Sequence, residues 1–246
     1  MDEDVTFRML GPTSVDGRPL VVGARPQAMF VALLLQHGRS VSVDRLAAAV
    51  WDGEPPRSQA SNLRTYASLL RRKLGRHGNC LLFRDGGYVL AVSSKQCDVA
   101  AFRCLARCGH QAYRGGDATT AASLLIQALT CWRAAQAAPG VVRNGPLRGW
   151  LDALDEDRLR AEEDLCAALI AIDEPRSALG RLHEVLTLDP LRSRAWLLRM
   201  QIHQRLGEPA AVADCYRQAC RLFREELGIA PAPALSQFYA AVLDRQ

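Results

Sequence analysis

The sequence predicts two folded domains of different class: an α+β domain over residues 1–93, then an all-α array over residues 97–246. Three observations carry this. Up to Val92, short β-prone runs alternate with helical ones and are punctuated by Gly-Pro and Asp-Gly pairs. Beyond Cys97 the turn-rich, β-branched character disappears, and helices of roughly 15 residues succeed one another with Gly-Asp, Glu-Pro or Asp-Pro at their joints. Between Arg57 and Arg84 the chain holds seven cations and no Asp or Glu. A length of 246 residues accommodates two cores without staples, and 49% hydrophobic with 23% charged residues excludes a disordered chain.

The acidic start MDEDVTFRML lacks the basic and apolar regions of a signal peptide, and no apolar run approaches the ~20 residues of a membrane span. The expectation is a cytoplasmic protein without a membrane partner, whose eight cysteines are thiols. The net charge of +5 hints only modestly at an anionic partner; its distribution says more.

In the first domain, Phe7 to Leu10, Ser14 to Val15 and Leu20 to Val22 read as short strands separated by Gly-Pro and Asp-Gly turns, a small antiparallel sheet. Pro26 suits a first helical turn, and Ala28, Val31, Ala32 and Leu35 mark a helix stopped by Gly38. A second helix follows Ser42, whose hydroxyl can cap it; it buries Leu46 and Val50 and ends on Trp51. Asp52-Gly53-Glu54-Pro55-Pro56 is a loop. A third helix runs from about Ser58 to Leu74 and stops at Gly75, and Leu81 to Phe83 with Tyr88 to Leu90 flank Arg84-Asp85-Gly86-Gly87 as a terminal β-hairpin.

In the second domain, the segments that begin Asp173-Glu174-Pro175 and Gly207-Glu208-Pro209 are 34 residues apart, the tetratricopeptide period. Leu182 then falls opposite Tyr216, Val185 opposite Ala219 and Leu188 opposite Leu222. Gly116-Asp117 followed by Ala121 to Trp132 resembles a third, degenerate unit. The Ala-, Gly- and Pro-rich stretch from Arg133 to Gly149 breaks the period and is expected to be an ordered insertion or a surface loop.

The third helix of the first domain carries the functional signal. Leu63, Tyr66, Ala67, Leu70 and Leu74 follow the i, i+3, i+4, i+7 rule and form its buried stripe, which leaves Ser61, Arg64, Thr65, Ser68 and Arg72 on the opposite face. Cations there neutralise phosphates, while short hydroxyls and a guanidinium reach base edges in a major groove. A basic face on a helix is often only solvated. Here it sits in a series of strands, three helices and a hairpin, the winged-helix arrangement, in which third helix and wing both face DNA. Arg84 at the hairpin tip adds a minor-groove or phosphate contact.

The stretches FRMLGPTSVDGRPL, SVDRLAAAVWDGEPP, NLRTYASLLRRKLG and DGGYVL resemble the N-terminal domain of the Streptomyces antibiotic regulatory protein family, a winged helix of the OmpR/PhoB type. CDVAAFRCLARCG, GDATTAASLLIQALTCW and the long run from LDPLRSRAWLL to APAPAL are similar to the bacterial transcriptional activation domain that follows it in that family. The resemblance implies a transcription activator that binds direct repeats of double-stranded promoter DNA as a tandem dimer and engages RNA polymerase holoenzyme. Its implied targets are gene clusters for antibiotics or other secondary metabolites. It places recognition on Arg64, Thr65, Ser68, Arg71 and Arg72, and a polymerase-facing loop on Trp51 to Arg57. With the neighbouring cations and hydroxyl, the expected DNA-binding set is Arg57, Ser61, Arg64, Thr65, Ser68, Arg71, Arg72, Lys73 and Arg84, and the polymerase-contact set is Trp51, Asp52 and Glu54. The family usually has Arg where this chain has Leu69, which bears on the repeat it prefers. No G-x-x-x-x-G-K-[ST] phosphate loop occurs, so the nucleotide-binding module of larger relatives is not expected.

Other clusters read as structural. Cys97, Cys104 and Cys108 before His110 lack zinc-knuckle spacing, and Cys215 and Cys220 read as packing residues. Asp152, Asp155, Glu156 and Asp157 with Glu162 to Asp164 read as a solvated acidic helix face paired with Arg158 and Arg160, or as a partner surface for polymerase. Tyr216, Trp196 and Phe223 read as core. No motif assembles a nucleophile, base and orienting group, so neither an enzyme nor a cofactor or metal is expected. The alternative is a helical-repeat adaptor or effector sensor whose winged domain contacts protein, but such a domain has no need of seven cations without an acid.

Overall fold

The computed structural model describes residues 6–244. It is mostly helical, with small antiparallel sheets near the N-terminus. The described residues divide into two compact units: one runs up to Cys104 and includes Thr130–Asp157, and the other comprises Leu105–Leu129 with the chain from Arg158 onward.

In the first unit, β1 (Phe7–Arg8), β2 (Ser14–Val15) and β3 (Arg18–Pro19) form an antiparallel sheet in that order. The third strand starts two residues before the expected Leu20. Asp16 and Gly17, both at positive φ (48° and 73°), close a two-residue turn that sets Val15 against Arg18 and Ser14 against Pro19. The first strand is also shorter than expected, because at Met9 and Leu10 the backbone turns to distant partners. The two N–H groups donate to the Asp98 carboxylate (Met9 at 2.8 and 3.1 Å, Leu10 at 2.9 Å). The two carbonyls accept from the N–H of Ala138 (2.7 Å) and Arg133 (2.6 Å).

Helices α1 (Ala24–Leu35), α2 (Val43–Val50) and α3 (Gln59–Lys73) pack against one another. From Ala28 to Leu35 every α1 residue is buried, so α1 is the central rod rather than an amphipathic surface helix. Ser42 caps α2 by accepting the Arg45 N–H at 3.3 Å. A second sheet has the order β4 (Val41–Ser42), β6 (Gly87–Leu90), β5 (Leu81–Arg84); the last two form the expected hairpin, and β4 is a two-residue strand too short to leave a pattern.

The stretch from Thr130 to Asp157 is ordered and belongs to this unit. Trp132 meets Phe102 edge-on at 5.4 Å. Ala137 and Ala138 are buried, and Arg143 bridges Asp152 and Asp155, each at 2.6 Å. Two helices, α4 (Asp98–Arg114) and α6 (Gly145–Ala171), contribute residues to both units.

The second unit also holds α5 (Ala118–Thr130, up to Leu129), α7 (Pro175–Leu188), α8 (Ser193–Arg205), α9 (Pro209–Leu227) and α10 (Pro233–Leu243). α7 and α9 both start on proline, 34 residues apart, and bury equivalent positions: Ala178 with Val212, and Val185 with Ala219. The equivalence fades toward the helix ends, where Leu188 is exposed. α8 packs against both helices. Trp196 and Phe223 are core, and Tyr216 is half-buried, stacked on Tyr239 at 4.5 Å.

The expectation of a solvated acidic face fails at Glu162, Glu163 and Asp164, which are buried. Each is met by an arginine from farther along the chain: Glu162 by Arg181 (2.9 Å), Glu163 by a two-pronged Arg192 (2.9 and 3.1 Å), and Asp164 by Arg194, with the His110 ring 2.8 Å from its other oxygen. A buried carboxylate needs such a partner, because removal from water without one costs several kcal/mol. These pairs tie α6 to the two helices that follow it.

Asp98 is buried at 2% exposure, and its carboxyl is pushed above the usual range by burial, against the pull of the Leu10 and Met9 N–H groups and the Arg133 guanidinium. Asp98→Ala leaves buried N–H groups without acceptors, so we expect a loss of about 3 kcal/mol of stability, at about 1–3 kcal/mol per orphaned donor. Urea unfolding followed by circular dichroism checks this. A midpoint equal to wild type contradicts the clasp.

Candidate nucleic-acid interface

The outer face of α3 is built by the residues that anchor its inner face. Leu63, Ala67, Leu70 and Leu74 are buried, and Tyr66 is half-buried against Trp51, their rings stacked at 5.8 Å. This leaves Ser61, Arg64, Thr65, Ser68, Arg72 and Lys73 exposed. The Thr65 and Ser68 hydroxyls donate to the carbonyls four residues back, those of Ser61 and Arg64, both at 3.1 Å. Their protons are thereby engaged, and their oxygens face outward as acceptors. Arg72 and Lys73 stand at the C-terminal end of the helix, where its dipole favours cations.

The seven cations of this stretch divide into two sets. Arg76 pairs with Asp16 at 3.0 Å, and His77 lies equally close to the same carboxylate. Arg71 is half-buried, and its Nε donates to the Leu81 carbonyl at 2.9 Å, which ties α3 to β5. Arg57, Arg64, Arg72, Lys73 and Arg84 are exposed, and none has an ion pair among the described residues. Leu69 is half-buried. Arg84 sits beside the Asp85-Gly86 turn, both residues at positive φ (53° and 72°), as a tight two-residue hairpin requires. Its carbonyl accepts the Ser40 hydroxyl at 3.0 Å, which steadies the hairpin on the loop before β4.

The expected polymerase loop is less free than its sequence suggests. Trp51 is half-buried between Tyr66 and the Arg25 guanidinium, which lies 5.7 Å from its ring centre. Asp52, at φ 56°, accepts the N–H of Gly145 at 2.7 Å, one of the unpaired donors at the start of α6. Gly145 must be glycine: its φ is 40°, and a Cβ would stand 2.7 Å from the Ala48 carbonyl oxygen. Arg45 lies over the Trp150 ring at 4.7 Å. Glu54 remains exposed without an ion pair among the described residues. Local sequence carries no sign of the Asp52–Gly145 or Arg45–Trp150 contacts, which join residues about a hundred positions apart.

The cysteines are dispersed in environment. Burial pushes the Cys97 thiol up to about 11, Cys104 is exposed, and Cys108 is half-buried. The nearby His110 bonds to Asp164 at 2.8 Å. Among the described residues no helix is long and apolar enough to cross a membrane.

Residues 97–243 match the bacterial transcriptional activator domain family. The chain is similar to the regulatory protein AfsR of Streptomyces coelicolor, 33% identical over 246 residues that cover 96% of this chain and 24% of AfsR. It is 30% identical over 253 residues to the transcriptional regulatory protein MoaR1 of Mycobacterium tuberculosis, covering 97% of this chain and 79% of that protein. Among solved structures it resembles Mycobacterium tuberculosis EmbR in complex with a low-affinity phosphopeptide, with TM-score 0.89 and 26% identity over 100% of this chain and 66% of that chain. The chain thus spans about a quarter of AfsR's length and about two thirds of EmbR's.

Proposed function

Because the chain belongs to the Streptomyces antibiotic regulatory protein family of transcriptional regulators, we propose that it activates transcription in the cytoplasm by binding promoter DNA through α3 and recruiting RNA polymerase. The observation that carries this reading is the outer face of α3, where exposed cations and hydroxyls stand without an acid. In this reading residues 1–93 form a winged-helix domain of the OmpR/PhoB type, with the β5–β6 hairpin as the wing. Residues 97–246 form the tetratricopeptide-like activation domain. Arg64, Thr65, Ser68 and Arg72 reach base edges in the major groove. Ser61, Arg57, Lys73 and Arg84 hold phosphates on either side.

One such domain offers few phosphate contacts. Two copies therefore dock head to tail on direct repeats about one helical turn apart, ~10–11 base pairs. The target is a secondary-metabolite gene cluster. Glu54 is the acid of the α2–α3 loop left to face polymerase, since Asp52 already holds the start of α6. An adaptor that met only protein through this domain would have no use for the outward cations.

Arg64→Ala and Arg72→Ala each weaken binding to the repeats by about 1–3 kcal/mol, roughly 5- to 150-fold, while Arg18→Ala in β3 changes it little. Gel shifts at fixed salt check this, and equal affinities for all three variants contradict the assignment of the reading face.

For the loop, Glu54→Ala lowers transcription in vitro at full promoter occupancy and leaves DNA affinity and melting temperature as in wild type. Asp52→Ala, by contrast, lowers the melting temperature, because it frees the Gly145 N–H. Full activity of Glu54→Ala on a saturated promoter removes the loop from the activating surface.

A further inference from the structure

Between α3 and the hairpin lies a cavity of about 290 Å3, lined by Val43, Ala60, Arg64, Arg71, Phe83 and Tyr88. Its two sides differ in chemistry. On the α3 side stand two guanidinium groups. Both are felt by the Tyr88 phenol, which burial pushes up while the charges of Arg71 and Arg64 pull it down. Neither has an ion pair among the described residues, and the chain from Arg57 to Arg84 supplies no acid. Arg71 is also held: the bond from its Nε to the Leu81 carbonyl fixes where the rest of its guanidinium stands.

On the hairpin side, Phe83 is 56% exposed, its ring edge-on to Tyr88 at 5.0 Å. Phe83 and Tyr88 are direct cross-strand partners, so one face of the hairpin presents both rings. A largely exposed phenylalanine beside an arginine at a hairpin tip gains nothing from water. Burial of its ring by a partner is favourable.

A ligand that fits this cleft brings an anion to one wall and an apolar surface to the other. A nucleic-acid strand has that repeat, a phosphodiester followed by a sugar. Resting on the reading of α3 as the DNA-binding helix, we propose that the cleft seats the sugar-phosphate backbone of one DNA strand. Its phosphate bonds to the Arg71 guanidinium, and its deoxyribose packs on the Phe83 ring. Arg64 at the rim adds attraction while it reaches into the groove. The contact is blind to sequence. It sets the register of the helix by gripping the strand between the groove that α3 enters and the contact made by Arg84.

The test uses the full chain, a duplex that carries the direct repeats and a scrambled duplex of equal length, with binding followed by fluorescence anisotropy at several salt concentrations. Phe83→Ala weakens both duplexes by the same factor, about 5-fold for loss of a half-covered phenyl surface. The slope of affinity against salt stays unchanged, and Phe83→Leu restores most of the loss. Arg71→Gln lowers the salt slope by about one on both duplexes. Phe83 is more than half exposed and its side chain holds only the Tyr88 ring, so its variants stay folded at the assay temperature and remain decisive even if loss of the Arg71–Leu81 bond loosens β5.

The proposal is overturned if Phe83→Ala binds both duplexes as wild type does, or if it weakens the repeat duplex alone, which would make Phe83 a reader of bases. Absence of salt-dependent binding by the wild-type chain itself brings down the reading of α3, and the cleft with it.

Discussion

Four backbone groups at Met9 and Leu10 determine how the first unit is assembled. The two residues are fully buried, so their N–H and C=O groups must find partners, and none lies within the N-terminal sheet. One carboxylate, that of Asp98, takes both N–H groups. The backbone of Arg133 and Ala138 supplies the donors for both carbonyls. A sheet of two-residue strands cannot hold itself together in water. Here it is clasped from outside by residues almost ninety and more than a hundred and twenty positions away. The compact unit that carries α3 therefore includes the start of α4 and the stretch up to Asp157.

The same rule sorts the charges around α3. Some of these groups are engaged within the unit, whether half-buried, as Arg71 by the Leu81 carbonyl and His77 by Asp16, or exposed, as Arg76 by Asp16 and Asp52 by the start of α6. What remains outside is a set of cations and hydroxyl oxygens without counter-charges, held on a helix that Leu63, Ala67 and Leu70 anchor from below. An unpaired cation in water costs little and is drawn strongly to a polyanion, so the arrangement favours association without a penalty in stability. In the second unit the balance is reversed. Three consecutive acids are buried, and each is matched by an arginine, so that charge serves cohesion rather than recognition.

Features set by neighbours along the chain were legible in the sequence. The α3 stripe follows from the spacing of Leu63, Ala67 and Leu70, the hairpin from Asp85-Gly86, and the pairing of α7 with α9 from prolines 34 residues apart. Features set by contacts across the chain were not. Asp98 looks like any acid at a helix start until Met9 and Leu10 arrive above it. Asp52 looks like a free loop acid until Gly145 is placed beside it. Glu162 to Asp164 read as solvated because residue type alone does not report burial, and their partners Arg181, Arg192 and Arg194 lie in α7, just before α8 and within it. Arg71 enters the expected recognition set through the family resemblance rather than through its place on the helix, and the approach of β5, whose Leu81 carbonyl takes its Nε–H, has no trace in the local sequence.

In the proposed reading, α3 lies in the major groove and reads two repeats in the same way. Methylation interference on the target promoter tests it most directly, because dimethyl sulfate modifies guanine N7, an acceptor displayed only in the major groove. If α3 lies there, methylated guanines within each repeat block binding of the wild-type chain, at positions about one helical turn apart. Arg72→Ala then loses the same guanine signal from both repeats. Binding indifferent to guanine N7 methylation, or a pattern that Arg72→Ala leaves unchanged, would contradict that reading.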